Sequence, residues 1–275
     1  MNICIYHANC SDGFGAATVV KKALQECEFY AGIYNEPPPN VSGKHVWLVD
    51  FSYPRTVVEK LLETALSVTI IDHHKSAAID LVGLDHPNLL QVFDMQYSGA
   101  VLTWRHFFPN EEVPILLQHI QDRDLWSHGL NMTDEIISAL FSLPQDFDLW
   151  FSFYHDVSQL ITEGIPITRA RSMSIKKKLE ETPQKMTIGG YTVPVMNCSA
   201  SIASEVAGAL ARDYPFAATY HDTANHRVFS LRSTKKGKDV GEMAKALYGG
   251  GGHKHAAGFR IALPVGIPEI KPTEV

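Results

Sequence analysis

A regular alternation of apolar runs and amphipathic segments fills the first 75 residues and constrains the fold most strongly. The runs rich in β-branched and aromatic residues predict strands at residues 2–6, 45–51 and 67–74. The segments between them carry apolar side chains at helical spacing and predict helices over residues 12–30 and 53–65. Such alternation is typical of a parallel sheet covered by helices. The sequence therefore predicts an α/β fold for this part of the chain.

Acidic and histidine side chains follow every one of these predicted strands. In open parallel sheets, ligands bind outside the carboxyl ends of the strands. Burying such groups costs several kcal/mol unless something compensates them. We therefore expect one shared site at this edge, although a polar strand-to-helix turn would also explain the third group alone. The residues are His7 and Asp12 after the first strand, Asp50 after the second, and Asp72, His73 and His74 after the third.

The chemistry of these side chains predicts a metal site. Oxygen and imidazole ligands, without a CxxC pair among the four cysteines, favour Mn²⁺ or Mg²⁺ over structural zinc. Several carboxylates together indicate two ions, which can clamp a phosphoryl group and activate water. Asp122 and Asp124, on either side of an arginine in "QDRDLW", offer a further carboxylate. A solvated helix end is the alternative there.

The rest of the chain predicts helices followed by a second α/β domain. We expect domains at 1–150 and 186–275, joined by a helical connector at 151–185. In the second domain, Gly249–Gly252 and the histidines after it predict either an anion-binding loop or a plain glycine turn. Arg232 is suited to bidentate phosphate recognition, with a surface arginine as the alternative.

Composition narrows the class of protein. A net charge of −6 argues against a large footprint on duplex nucleic acid but leaves short anionic substrates open. Neither a signal peptide nor an apolar stretch long enough for a membrane span is apparent. We therefore expect a cytoplasmic protein with reduced cysteines and no membrane partner. A homodimer is compatible with the sequence, which indicates no oligomeric state.

Five motifs in this order resemble the DHH phosphoesterases with a C-terminal DHHA1 domain. They are "YHANCSDGFGAA", "VDFS", "IIDHHKSA", "QDRDLW" and "GGGGHKHAAGF". The resemblance covers essentially the whole chain. It implies an N-terminal parallel-sheet DHH domain with helices on both faces, a helical connector and a smaller α/β DHHA1 domain. It also implies a hydrolase dependent on two divalent ions, Mn²⁺ first, with Mg²⁺ or Co²⁺ as alternatives.

The resemblance also implies roles for individual residues. His74 would contact the scissile phosphate in catalysis, and Asp72 would support it by orienting a histidine. Asp122 is favoured over Asp124 because Trp126, four positions on, matches the family's pattern. The implied metal ligands are His7 and Asp50 for one ion and Asp12, Asp50, His73 and Asp122 for the other. The implied substrate-binding residues are Arg232, Gly250, Gly251, Gly252 and His253.

One departure from the family's pattern concerns the first motif. Many members have an aspartate where this chain has Cys10, so the first metal site lacks one carboxylate, and its occupancy is the less certain of the two. We expect a phosphodiesterase that cuts short single-stranded oligonucleotides or linear dinucleotides to 5′-mononucleotides, similar to an oligoribonuclease. An exopolyphosphatase-like phosphohydrolase is one alternative. A catalytically weakened nucleotide-binding member is the other.

Overall fold

The computed structural model describes residues 1–263, which form two compact units. The first unit is Met1–Arg171, and the second begins at Ser172. This boundary falls within the connector expected at 151–185. The last part of the expected second domain, residues 264–275, lies outside the described residues.

The first unit is built on a five-stranded sheet in which all neighbouring strands are parallel. The strand order is β2-β1-β3-β4-β5, so the direction of winding reverses between β1 and β3. In sheets of this kind the crevice at the reversal is the usual place for a ligand. The strands are β1 Asn2–His7, β2 Cys27–Gly32, β3 His45–Val49, β4 Ser67–Asp72 and β5 Leu89–Phe93.

Helices cover both faces of this sheet, because neighbouring residues of its strands point to opposite sides. Cys4 packs with helices α1 and α4–α7 in one apolar cluster, whereas Ile3 and Ile5 pack with α2 and α3 in another. The predicted α/β fold class is thereby confirmed. The helices are α1 Ser11–Ala23, α2 Arg55–Thr64, α3 Lys75–Leu81, α4 Gly99–Phe107, α5 Ile115–Asp124, α6 Thr133–Ser142, α7 Phe147–Ser152 and α8 Ser158–Leu179.

Two strands of the sheet differ from the sequence prediction. The helix predicted over 12–30 ends at Ala23, and β2 follows it directly. β5 was not predicted either. Both are the edge strands of the sheet and are only partly buried, so they lack the continuous apolar run that marks β4.

The second unit contains a six-stranded sheet with the order β10-β11-β9-β8-β7-β6. Its pairings are antiparallel except that between β7 and β8. Gly189 and Gly190, both with positive φ, form the hairpin turn between β6 and β7. The elements are β6 Gln184–Ile188, β7 Tyr191–Asn197, α9 Ala203–Leu210, β8 Ala217–Asp222, β9 His226–Arg232, α10 Val240–Tyr248, β10 Gly251–His253 and β11 Ala256–Ala262.

Across residues 1–263, every helix is too short or too polar to cross a bilayer.

Candidate metal centre and active site

Three side chains from neighbouring strands meet where the winding of the first sheet reverses. His7 ends β1, Asp50 directly follows β3, and His73 directly follows β4. Nδ1 of His7 lies 3.5 Å from Oδ2 of Asp50, and Nε2 of His73 lies 3.1 Å from Oδ1 of the same carboxylate. Asp50 therefore stands between the two imidazoles, as the bridging position expected for it requires.

Asp50 is held in an unusual backbone conformation. Its φ of 51° lies in the left-handed region, which is uncommon for residues other than glycine, although asparagine and aspartate adopt it more often than the rest. Gly99, at the start of α4, packs directly against it: a Cβ at Gly99 would collide with Cβ of Asp50 and lie 2.8 Å from its Cα. Strain of this kind persists where the surroundings enforce it, and it clusters at functional sites.

Asp12 joins the cluster from the first turn of α1. Its carboxylate accepts hydrogen bonds from the backbone N–H groups of Gly99, at 2.6 Å, and Ala100, at 3.0 Å. These donors lie at the N-terminus of α4, where an anion is favoured. Oδ2 of Asp12 also lies 3.6 Å from Nε2 of His73. Asp12, Asp50 and His73 thus form a fully buried group that could hold a metal ion.

Asp72 positions the two histidines that follow it. Oδ1 of this fully buried carboxylate accepts from Nδ1 of His74 at 2.7 Å and from the backbone N–H of His73 at 2.7 Å. Its Oδ2 accepts from the hydroxyl of Ser52 at 2.6 Å, a partner that sequence reasoning did not find. Burial alone would lower the pKa of His74, but the charge and hydrogen bond of Asp72 raise it to about 9.

The structure brings Asp124, not Asp122, to the cluster, which corrects the preference drawn from the sequence. Oδ2 of Asp124 lies 3.5 Å from Nε2 of His73. The carboxylate of Asp122 instead accepts from the backbone N–H of Gly129 at 2.7 Å and of Leu130 at 3.2 Å, and from the hydroxyl of Thr133 at 2.7 Å. Asp122 therefore organises the loop after α5, whose residues 125–132 we call the α5–α6 loop.

The buried polar atoms of the cluster fit a bound cation. In the described part of the chain, both oxygens of Asp50, Oδ2 of Asp124 and Nδ1 of His7 are buried and have no hydrogen-bond partner. Burial, followed by the charges of Asp50 and Asp124, raises the pKa of Asp12 well above its usual value. Burial alone would lower the pKa of His73, yet the surrounding carboxylates raise it to about 10. Buried carboxylates and imidazole nitrogens that converge in this way are the donors that a divalent ion takes.

Cys10 borders the same carboxylates. Burial, and then the charges of Asp50, Asp124 and Asp12, raise the pKa of its thiol well above the ordinary value. The thiol lies at the N-cap position of α1, where it makes no capping hydrogen bond through its side chain. A carboxylate at this position would add another charged oxygen donor to the cluster.

The expected substrate-binding residues lie together in the second unit. Arg232 of β9 and His253 of β10 are both paired with Ala256 of β11, one from each side. The glycine run is divided between two roles, however. The N–H groups of Gly249 and Gly250 donate to carbonyls of α10 and end that helix. Only Gly251 and Gly252 continue into β10.

Comparisons with known proteins support the fold. No family model matches the sequence. An uncharacterised protein of Acanthamoeba polyphaga mimivirus is 28% identical over 288 residues, which span 95% of this chain and 68% of that protein. Among solved structures, a pGpG-specific phosphodiesterase of Vibrio cholerae matches with a TM-score of 0.50 and 14% identity, over 96% of this chain and 94% of that one. An exopolyphosphatase-related protein of Bacteroides fragilis matches with a TM-score of 0.43 and 13% identity, over 94% and 86% of the two chains. The chain thus shares the α/β architecture of the phosphodiesterase over nearly its full length.

Proposed function

We propose that this protein is a divalent-metal-dependent phosphodiesterase that hydrolyses short oligonucleotides or linear dinucleotides to 5′-mononucleotides. The observation that carries the proposal is the buried cluster at the reversal of the first sheet, whose carboxylate oxygens and imidazole nitrogens could together hold a cation. The ligands we assign are His7, Asp12, Asp50, His73 and Asp124, with Mn²⁺ as the expected ion.

Each residue of the site has a distinct task in this reaction. Two bound ions would supply a polarised phosphoryl oxygen and a water of lowered pKa. Asp50 lies between His7 and His73 and would be a ligand to both ions. His74 would carry a proton to the leaving oxygen through Nε2, because Asp72 holds its Nδ1. The raised pKa of His74 keeps that proton on the ring at neutral pH.

Two further features support a phosphodiester as the substrate. The pGpG-specific phosphodiesterase of Vibrio cholerae shares the fold, which makes a similar activity a reasonable hypothesis for this chain. Within the second unit, Arg232 and His253 lie on either side of the same residue of β11, where Arg232 offers positive charge and His253 a hydrogen bond for a phosphate.

Product analysis tests this proposal directly. The purified protein with excess Mn²⁺ would receive, in parallel, a linear dinucleotide, a 5-mer RNA, a 24-mer single-stranded DNA, a cyclic dinucleotide and polyphosphate. We expect mononucleotide from the dinucleotide and the 5-mer, with the long DNA largely intact. Phosphate released from polyphosphate alone would instead identify an exopolyphosphatase-like enzyme.

A His74→Ala variant separates catalysis from binding. We expect it to bind the dinucleotide, as measured by calorimetry, and to turn it over at least about 100-fold more slowly, the lower range for loss of a general acid. If the unchanged protein and the variant both bind the ligand and neither cleaves it, the protein is a nucleotide-binding member without activity.

A further inference from the structure

We propose that Tyr34 and Trp126 are stacking platforms for the two nucleobases on either side of the scissile phosphate. This inference rests on the proposed function and refines it, because it requires a substrate that carries a base on each side of the bond that is cut.

Tyr34 lies beside the cluster in the segment that follows β2. Its ring centroid is 5.2 Å from that of His7 and 6.4 Å from that of His74. Phe51 packs against it at 4.8 Å and holds the ring in place. Despite these contacts, 40% of Tyr34 stays exposed. Part of Tyr34 is therefore exposed directly beside two site residues, although its hydroxyl is buried.

Trp126 lies two residues after Asp124 in the chain. Two residues span at most about 7 Å, so the backbone of Trp126 lies within about that distance of the backbone of Asp124. Trp126 is 47% exposed, and its φ of 57° is unfavourable for so bulky a residue. The guanidinium of Arg123 lies 4.2 Å from the ring centroid and supports one face.

Burial accounts for only part of the surface of each ring. A large aromatic side chain stabilises a fold by burial, and both of these remain about half exposed. Trp126 also has a strained backbone, which the hydrogen bonds to Asp122 maintain. An exposed and rigidly supported ring offers a π-face to any of the four bases.

The order of the contacts matches the order of groups in a dinucleotide. Tyr34 contacts His7, and the contacts then continue through Asp50 and His73 to Asp124. Tyr34 follows β2, and His73, which contacts Asp124, follows β4. In the sheet, β1 and β3 lie between these two strands. One ring thus stands at each end of a series whose middle would receive the phosphate. Polyphosphate has nothing that such rings would recognise.

Binding measurements with two abasic analogues test this inference. The protein would carry His74→Ala to prevent turnover, with Mn²⁺ present. The probes are the dinucleotide pApA and two analogues that each lack one base. We expect Tyr34→Ala and Trp126→Ala each to weaken pApA binding about 5- to 150-fold, which corresponds to the loss of one stacked base. Tyr34→Ala should not change the affinity for the analogue that lacks the base stacked on Tyr34. Trp126→Ala should not change the affinity for the other analogue.

Neighbouring residues of similar exposure provide the controls. Ile33→Ala and Leu130→Ala, at positions that are 40% and 41% exposed, should bind pApA as the unchanged protein does. Tyr34→Phe and Trp126→Phe should keep most of the affinity, because a ring remains. Binding of pApA that survives both alanine substitutions would overturn the inference and leave the proposed function standing. If the protein neither binds nor cleaves any dinucleotide, the proposed function itself fails.

Discussion

Two aspartates that stand two positions apart perform different tasks. Asp124 places an unpartnered buried oxygen beside His73, whereas Asp122 uses both oxygens to hold the α5–α6 loop. Both flank the same arginine in "QDRDLW", so the motif alone does not distinguish them. The distinction arises because α5 ends at Asp124 and the chain folds back over Asp122. Thr133, at the start of α6, donates its hydroxyl to Asp122 and is the residue that could have indicated the structural role of Asp122.

Substituting the two aspartates in turn separates these tasks. Asp124→Asn should weaken Mn²⁺ binding at least about tenfold in titration calorimetry, because it removes a charged ligand. Asp122→Asn should keep the Mn²⁺ affinity but lower the free energy of unfolding by about 1–3 kcal/mol, since its hydrogen bonds to charged oxygen are lost or weakened. The reverse pattern would restore Asp122 as the ligand.

Cys10 supplies a second prediction at the scale of one residue. Cys10→Asp would add a carboxylate next to Asp12 and Asp50, which should tighten binding of the first metal ion. Without metal, the added charge should lower the melting temperature through repulsion. Calorimetric titration with Mn²⁺ in both proteins measures the change, and unchanged affinity would show that position 10 does not face an ion.

At the scale of elements, the N-terminus of α4 acts as the support of the site. It donates two N–H groups to Asp12 and presses Gly99 against Asp50. The sequence predicted helices in this part of the chain, but not this contact. Periodicity reports that a segment is helical and which face is apolar, whereas the approach of Gly99 to Asp50 depends on how α4 packs in three dimensions.

Gly99→Ala tests this support. The added methyl group would displace either α4 or Asp50, and we expect a loss of about 1–3 kcal/mol in stability together with weaker Mn²⁺ binding. Gly208→Ala in α9 is the matched control, because a Cβ there meets nothing within 4 Å. That change should stabilise the protein by about 0.5–1 kcal/mol in chemical unfolding. If Gly99→Ala behaves like this control, the contact is not a support.

The sequence predicted the central elements better than the edges. β1, β3 and β4 were found because their apolar runs are dense, and the candidate ligands His7, Asp50 and His73 were found because they end those runs. β2 was absorbed into a helix prediction, since "CEFYAG" is short and half-exposed. With β2 missed, the position of Tyr34 at the edge of the site was not visible either.

At the scale of the whole molecule, the site places several negative charges in one buried cluster. Such repulsion lowers the stability of the folded state unless a cation is bound. The ions would therefore contribute to stability as well as to chemistry. Binding of one ion would raise the free energy of unfolding by about 2.7 kcal/mol at a metal concentration 100 times Kd.

Thermal unfolding with Mn²⁺ and with a chelator measures this linkage. We expect a higher melting temperature with Mn²⁺, and the difference should largely vanish in Asp50→Asn, which removes the bridging carboxylate. Asp222→Asn, which alters an exposed ion pair with Arg227 in the second unit, should keep the difference. Identical melting temperatures with and without Mn²⁺ would argue against a metal-stabilised centre.

The spacing of the ligands along the chain has a consequence during translation. His7 is synthesised first, whereas Asp124 and the α4 N-terminus that anchors Asp12 are synthesised much later. A nascent chain shorter than this therefore exposes its carboxylates to water and cannot assemble the ion-binding centre. Because domains fold as units once their elements are available, hydrolytic capacity would arise only after the first unit is complete.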